Sequence, residues 1–515
     1  MQVVGAGFTA EERDTVRDIA QNLQISWHRE SNLGGRTFTI GVSTIGGKDI
    51  IGLNPGAIGS PSNYKYFDES AYVLGLSWER GFNLPQGGLT KALAEARLDN
   101  TSGRFLPSYM GGNSELYTAI QPRKPVIINA GFNVNGINQM LPQFSGLLSK
   151  QPGIDVSSRE AIIQADDYGA YFQNKNVGDA AMFTGLTTDK VIGNLLAQQG
   201  MSTAQYKLDT GLNTIPFGMY DSTSKLSDVI NELVQSENGQ FYQDEMGIFR
   251  FENRQHWDNA PFTQVQRIIL TGQVISAQAP NADHIINVVE VSINPRVKAS
   301  GATLYTLSGQ ITLQSGDTEV FVDFVNPVLQ ASAPVYVANS AADGSGSVKT
   351  GNVSIKNTSV FAQNAKYTLT NNTASVVYIT SMTISGRWAV LQYPTAQVIR
   401  TQDDSSVTAY QEQVLSINNQ YIQNSIWAAS LGQVVVNDYS DPESLQIITI
   451  RAIPELQLGD LISWQGHYWR IFNIKAMLDV SSGFVQDLSL LRRGASIVYF
   501  RIGISTIGSV DRIAP

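Results

Sequence analysis

The sequence predicts a mainly β, multidomain protein with a few short helices, in which β domains alternate with an α+β domain. Length is the first reason, because 515 residues exceed the ~100–200 of a usual domain and several cores must share the chain. Composition is the second. Charged residues make up 15%, against ~25% in ordinary soluble proteins, while glycine and small polar residues are abundant and suit short strands and turns. The third is period-2 alternation, which recurs along most of the chain. Composition and pattern divide it into an N-terminal helix and arm (1–34), a first β domain (35–160), an α+β domain (161–285), an inserted β-sandwich (286–395) and a second β domain with a C-terminal strand arm (396–515).

At the start, Thr9 and Glu12 have capping-box spacing, and Val16, Ile19, Ala20 and Leu23 recur at helical intervals, predicting a helix over about 10–22. Alternation then sets in through TFTIGV, AYVLGLSW and ALAEARLDN, which read as strands. Two amphipathic helices follow. In TTDKVIGNLLAQQG the stripe Val191, Ile192, Leu195, Leu196 ends at Gly200, and in SKLSDVINELVQSENG the stripe Leu226, Val229, Ile230, Leu233, Val234 ends at Gly239, each glycine sitting where a helix C-terminus favours it. A hairpin carries Phe241 and Tyr242 in and Phe249 and Phe251 out. From 286 to 395 the pattern is almost purely strand-like, with turn residues every ~8–12 positions, and NSAADGSGSVKTGN is a long loop or hairpin within it. A short helix near Ile426 to Leu431 precedes three strands that turn at Pro454 and at Gln465–Gly466. The segments FTIGVSTIGGKDII from Phe38 and FRIGISTIGSVDRI from Phe500 repeat one strand and glycine turn, which suggests equivalent docking places in a pseudo-symmetric assembly.

Composition also excludes chemistry. A formal charge of −9 without a basic, aromatic-interleaved run argues against a sequence-specific nucleic-acid reader. An acidic wall would, however, let DNA slide past without sticking. There are no cysteines, which removes disulfides and thiol ligands. The N-terminal stretch has no basic region followed by an apolar one, and no apolar window is long enough to span a bilayer, so the expected place of synthesis and folding is the cytoplasm. His28, His256, His284 and His467 lack ligand spacing, so no metal or other cofactor is expected. Asp166 and Asp167 are the best paired carboxylates for a glycosidase, but adjacent strand residues diverge, and an exposed turn before Tyr168 is the plainer reading. Asp403 and Asp404 read as a solvated loop. Trp464 and Trp469 flank a turn where a sugar platform is conceivable and burial in a core is commoner.

One stretch carries a recognisable pattern. ALAEARLDNTSGRFLPSY runs an alternating strand into Leu98, Asp99, Asn100, then Gly103, Arg104, Phe105 and Pro107, followed by an Arg-x-Pro-Val step at Arg123, Pro125 and Val126. Near the other end Leu458, Gly459 and Asp460 occupy a turn in PELQLGDLISWQGHYWRIFNI. In this order, over about residues 75 to 490, the chain resembles the tail-tip (baseplate) hub proteins of tailed phages, also known as minor tail or tail-associated proteins. The resemblance implies that the two β domains are tail-tube-like β-barrels and that the protein is a homotrimer. It implies a place in the virion tail tip, beneath the distal tail protein and tail tube, against the tape-measure protein and tip fibre proteins, with genome DNA passing through the channel. It implies no enzyme activity; the motif residues are structural. Many relatives continue into fibre or wall-hydrolase regions, whereas this sequence stops at Pro515, so such roles are expected to belong to other proteins. The rival readings are a tip adhesin that binds carbohydrate through the insert, and a cell-wall-degrading glycosidase.

Overall fold

The computed structural model describes residues 1–13, 17–29, 64–111, 114, 116, 119–278, 284–393, 395–479 and 483–493. The repeated segments at 38–51 and 500–513 lie outside the described residues, as does the expected strand TFTIGV. The protein is mainly β with several cores, and one 14-stranded sheet dominates it. Pairing runs from Val274–Ala277 through Leu445–Arg451, Gly483–Arg493, His467–Asp479, Val73–Gly81, Leu93–Asp99, Glu160–Asp166, Ile137–Leu148, Pro125–Val134 and Ile19–Arg29 to Tyr64–Asp68.

The join between the two ends of the chain is the strand Val73–Gly81. It pairs antiparallel with Leu93–Asp99 along one edge and with His467–Asp479 along the other. Both of its hydrogen-bonding edges are thus used to connect early and late sequence. As a result, among the described strands neither half closes into a barrel of its own, and residues from 35–160 and 396–515 share one open sheet. Alternation decides which face is covered: Leu76, Trp78, Ala94, Ala96, Leu98, Ile163 and Ala476 fall into one apolar core, and Ile448, Ile450, Ile474 and Leu488 into the next.

The N-terminus corrects the sequence reading. The helix is Ala6–Arg13, with Thr9 inside it, and Ile19–Arg29 is a strand. Ile19, Ala20 and Leu23 do have helical spacing, but Leu23, Ile25 and Trp27 also alternate and are fully buried. Pairing with Pro125–Val134 on one side and Tyr64–Asp68 on the other outweighs the local signal, as tertiary context commonly does.

The helices Thr188–Gln198 and Leu226–Gln235 form where the stripes place them. Their apolar faces meet Phe241, Phe249 and Phe251 of the hairpin Gln240–Gln243/Phe249–Glu252 in a common core. Gly200 takes the left-handed conformation at φ 78°; at the second helix that role falls to Asn238, φ 54°, and not to Gly239. In the insert, the long strand Val377–Leu391 pairs with short strands on both edges, and Gly316–Asp323, Asn364–Asn371 and Val353–Val360 form the facing sheet. Val288–Ile293, read from sequence as the start of this sandwich, pairs instead with Gln397–Gln402 and Val414–Asn418. The reason is that Val289, Val291 and Ile293 are covered by Leu431 and Val435 of the helix Ser425–Tyr439, which is longer than expected and capped by Asn424.

Candidate assembly face and the turns that frame it

The first turn begins where Leu93–Asp99 ends. Asp99 Oδ1 accepts from Thr101 N at 2.8 Å. Buried Asn100 accepts from Phe105 N at 2.9 Å, and Gly103 N donates to Asn100 O at 2.9 Å. These bonds close a tight loop in which Gly103, at φ 72°, takes a conformation costly to a residue with a side chain. Arg104 then donates from Nε and Nη2 to the two oxygens of buried Glu69, both at 2.9 Å, in the paired geometry that suits guanidinium and carboxylate. Glu69 Oε1 also accepts from Trp27 Nε1 at 2.8 Å. Leu98 and Phe105 are fully buried in the first core, with Phe105 edge-on to Tyr72 at 5.5 Å. Pro107 O accepts from Met110 N at 3.0 Å; Arg123, at φ 63°, donates from its N to Leu148 O at 2.7 Å; Pro125 opens its strand opposite Leu147.

The second turn is built by distant partners. Leu458 is buried, and Gly459 N donates to Ile471 O at 2.8 Å. At φ 81° Gly459 lies so close to Trp257 that a Cβ would sit 2.3 Å from its Nε1. The Asp460 carboxylate accepts from Gln457 N at 2.7 Å and from the Met1 ammonium at 2.6 Å, and burial pushes its carboxyl above the ordinary range. The N-terminal arm continues along this end. Gln2 N donates to Glu455 O at 2.8 Å and Arg17 Nη1 to Ala452 O at 2.8 Å. Fully buried Glu12 accepts from Arg267 and from Gln273 Nε2. Nothing in the sequence marked Glu69 or Arg267, and Glu12, whose spacing from Thr9 suggests a capping box, instead meets Arg267 and Gln273 far away in the chain. The two motif turns are not brought together into one cleft; they frame the two parts of the sheet.

No family model matches the sequence, and no curated protein is similar to it in sequence. Solved structures do resemble it. The 43 kDa tail protein of prophage MuSo2 from Shewanella oneidensis is 10% identical, with 83% of this chain and 96% of that one covered, at a TM-score of 0.44. A tail protein from Neisseria meningitidis MC58 is 8% identical, covering 84% and 94%, at 0.44. Prophage tail protein gp18 from Listeria monocytogenes EGD-e is 9% identical, covering 84% and 92%, at 0.40. Each of the three is a tail protein.

Among its charged residues the sheet face opposite the cores is predominantly acidic, with Leu93 and Met477 exposed between them. Register places Asp487, Lys475, Glu79, Leu93 and Asp166 in one row across five strands. Glu95 and Arg451 lie in the next row, Asp479 and Arg97 beyond it, and Glu160 pairs with Asp99 further along. The named carboxylates, Asp487, Glu79, Asp166, Glu95, Asp479, Asp99 and Glu160, outnumber the named bases, Lys475, Arg451 and Arg97. Partial pairing, as in Arg97 with Glu160 at 3.5 Å and with Asp479 at 3.7 Å, leaves the face negative. At one end of this sheet the edge strand Val274–Ala277 exposes Ile275, and Ile268 and Leu270 nearby are also exposed.

The candidate catalytic groups part company. Asp166 faces outward with this row, whereas Asp167 is buried and not in the exposed turn expected from sequence. Its Oδ2 accepts from Ala92 N at 2.7 Å and its Oδ1 from Gly169 N at 2.9 Å. Burial pushes its carboxyl up to about 7 despite those bonds. Asp403 caps the helix Asp404–Tyr410, accepting from Ser405 N at 3.0 Å and Ser406 N at 3.1 Å. Trp464 and Trp469 are buried in a core with ring centroids 6.2 Å apart. Among the described residues no group of three His, Asp or Glu side chains is placed to hold a metal ion.

Proposed function

We propose that this chain is a structural subunit of a phage tail, the hub of the tail tip, working as a homotrimer around a channel for genome DNA. The open sheet carries this reading. One face is sealed by apolar cores, the other is acidic, and the row of strands ends at an edge with exposed Ile275. An edge strand of this kind invites pairing with another chain, and a head-to-tail contact that closes under rotation produces a ring. In such a ring the regions 35–160 and 396–515 are the two tube-like units of each copy, so three copies supply six. The acidic face lines the lumen, where like charge keeps the phosphate backbone from adhering. The distal tail protein and tail tube stack above, the tape-measure protein meets the lumen, and tip fibre proteins attach below. Leu98 to Pro107, Arg123, Pro125 and Leu458 to Asp460 serve as folding motifs that hold these units in shape.

Mass photometry of the purified chain tests the proposal. The expected species has three times the 56.1 kDa monomer mass, and Ile275→Lys at the sheet edge shifts it to monomer. A wild-type protein that stays at 56.1 kDa at micromolar concentration, both alone and with its distal tail partner, overturns it.

A further inference from the structure

A second site is independent of the tail reading. Where the last strands, the helix Ser425–Tyr439 and the segment after Glu252 meet, there is a cavity of about 330 Å³. Junctions between cores are common places for small-ligand sites, and this volume lies at the lower end of their ~300–1,000 Å³ range. Three guanidinium groups from separate elements line it, those of Arg254, Arg470 and Arg493.

Each of the three carries N–H capacity that the protein leaves unused. Arg470 is 6% exposed; it donates from Nη1 to Gly459 O at 3.0 Å and from Nη2 to Trp257 O at 3.1 Å, both neutral acceptors, and forms no ion pair among the described residues. Arg254 donates from Nη2 to Ser430 Oγ at 2.9 Å and lies over the Trp427 ring at 4.3 Å. Arg493 alone is matched by a carboxylate, Asp438 at 2.6 Å. No acceptor among the described residues reaches Arg254 Nη1, Arg470 Nε or Arg493 Nε, and these atoms are closed to the cavity as well as to solvent, so a guest is left the other N–H groups of the same guanidinium groups. Buried donors without acceptors, and buried charge without a partner, are costly. In keeping with this, burial holds Arg470 below the ordinary arginine range, at about 10, and lowers Arg254 as well.

The charge inventory identifies the guest. Against three arginines the cavity wall itself offers two carboxylates, Asp258 and Asp438, an excess of base that favours an anionic guest, although Glu237 and Asp460 also act on Arg254 and Arg470. Trp257, Phe82 and Phe472 supply an apolar wall beside it. We infer that this cavity is a binding site for a small carboxylate with an aromatic or branched apolar body, held by Arg254 and Arg470 through charge-assisted hydrogen bonds.

Isothermal titration calorimetry on the full-length chain tests this with benzoate and inorganic phosphate as probes, against sodium chloride at matched ionic strength. Saturable benzoate binding is expected, with phosphate weaker. Arg254→Gln removes one charged donor and should weaken benzoate by about tenfold or more. Arg400→Gln, a surface arginine outside the cavity paired with Glu290 and Glu412, should leave binding unchanged. Near-UV circular dichroism identical to wild type shows that Arg254→Gln is folded. Heat with benzoate no greater than with chloride overturns the site, as does benzoate binding that a folded Arg254→Gln leaves intact. Saturation by phosphate alone overturns the carboxylate assignment.

Discussion

The turns at 99–107 and 457–460 use the same residue types, an acidic or amide side chain, a left-handed glycine and an apolar anchor, yet they are held in opposite ways. In the first, Asn100 satisfies the loop from within, and the distant polar partners include Arg159 O, which accepts from Asn100 N, and Glu69, which meets Arg104. In the second, the glycine is pressed against Trp257, some two hundred residues earlier in the chain, and Asp460 binds the N-terminus. The first turn is therefore a local motif that a core accepts, while the second is a seam between segments. The consequence is that an identical substitution should cost very different amounts at the two glycines.

The largest effect is expected where the local turn depends on its distant partner. Glu69→Ala removes the buried carboxylate that Arg104 and the Trp27 indole N–H share, and breaking a buried ion pair from one side costs ~3–5 kcal/mol; urea unfolding measures this, and a loss below about 1 kcal/mol would show that the ion pair contributes as little as a surface one. Gly459→Ala comes next, at about 3 kcal/mol, because overpacking against Trp257 adds to the left-handed strain. Asp167 gives an intermediate, pH-dependent effect. Its folded pKa, about 7, stands above that of an unfolded aspartate, so the folded state holds the extra proton between about pH 4 and 7 and stability falls as pH rises through that window. Asp167→Asn should flatten this decline, and parallel stability–pH curves for wild type and variant would rule the group out as its source. Gly103→Ala should cost least, ~1 kcal/mol, since its φ is unfavourable but the nearest atom to a new Cβ is the mobile Leu106 Cδ1 at 3.3 Å. Equal losses at Gly103 and Gly459 would erase the distinction between motif and seam.

Much of the fold could be read locally, wherever the information is local. The two helices of the α+β region, the hairpin with its aromatic residues and the turn at Gln465 and Gly466, both at positive φ, follow from period and turn chemistry. The motif turn at Asn100 to Phe105 was likewise visible. The strand at Ile19–Arg29 was not, because a few apolar residues fit two periods and only the neighbouring strands choose between them. The burial of Asp167 escapes a local reading for a related reason: a carboxylate beside Tyr168 and Gly169 looks like a solvated turn until Ala92 and the adjoining core cover it.

By itself the sequence determined a β-rich chain, the two helices of its α+β region, several of its turns and its overall negative charge, since each depends on residues a few positions apart. The tertiary structure alone decided that the two ends of the chain share one sheet, that its free face is acidic, and that three arginines, at 254, 470 and 493, surround one cavity. Those features depend on which strand lies beside which. Backbone hydrogen bonding is indifferent to side-chain identity, so no short pattern encodes that choice; it follows from the summed burial of many alternating positions across the whole chain.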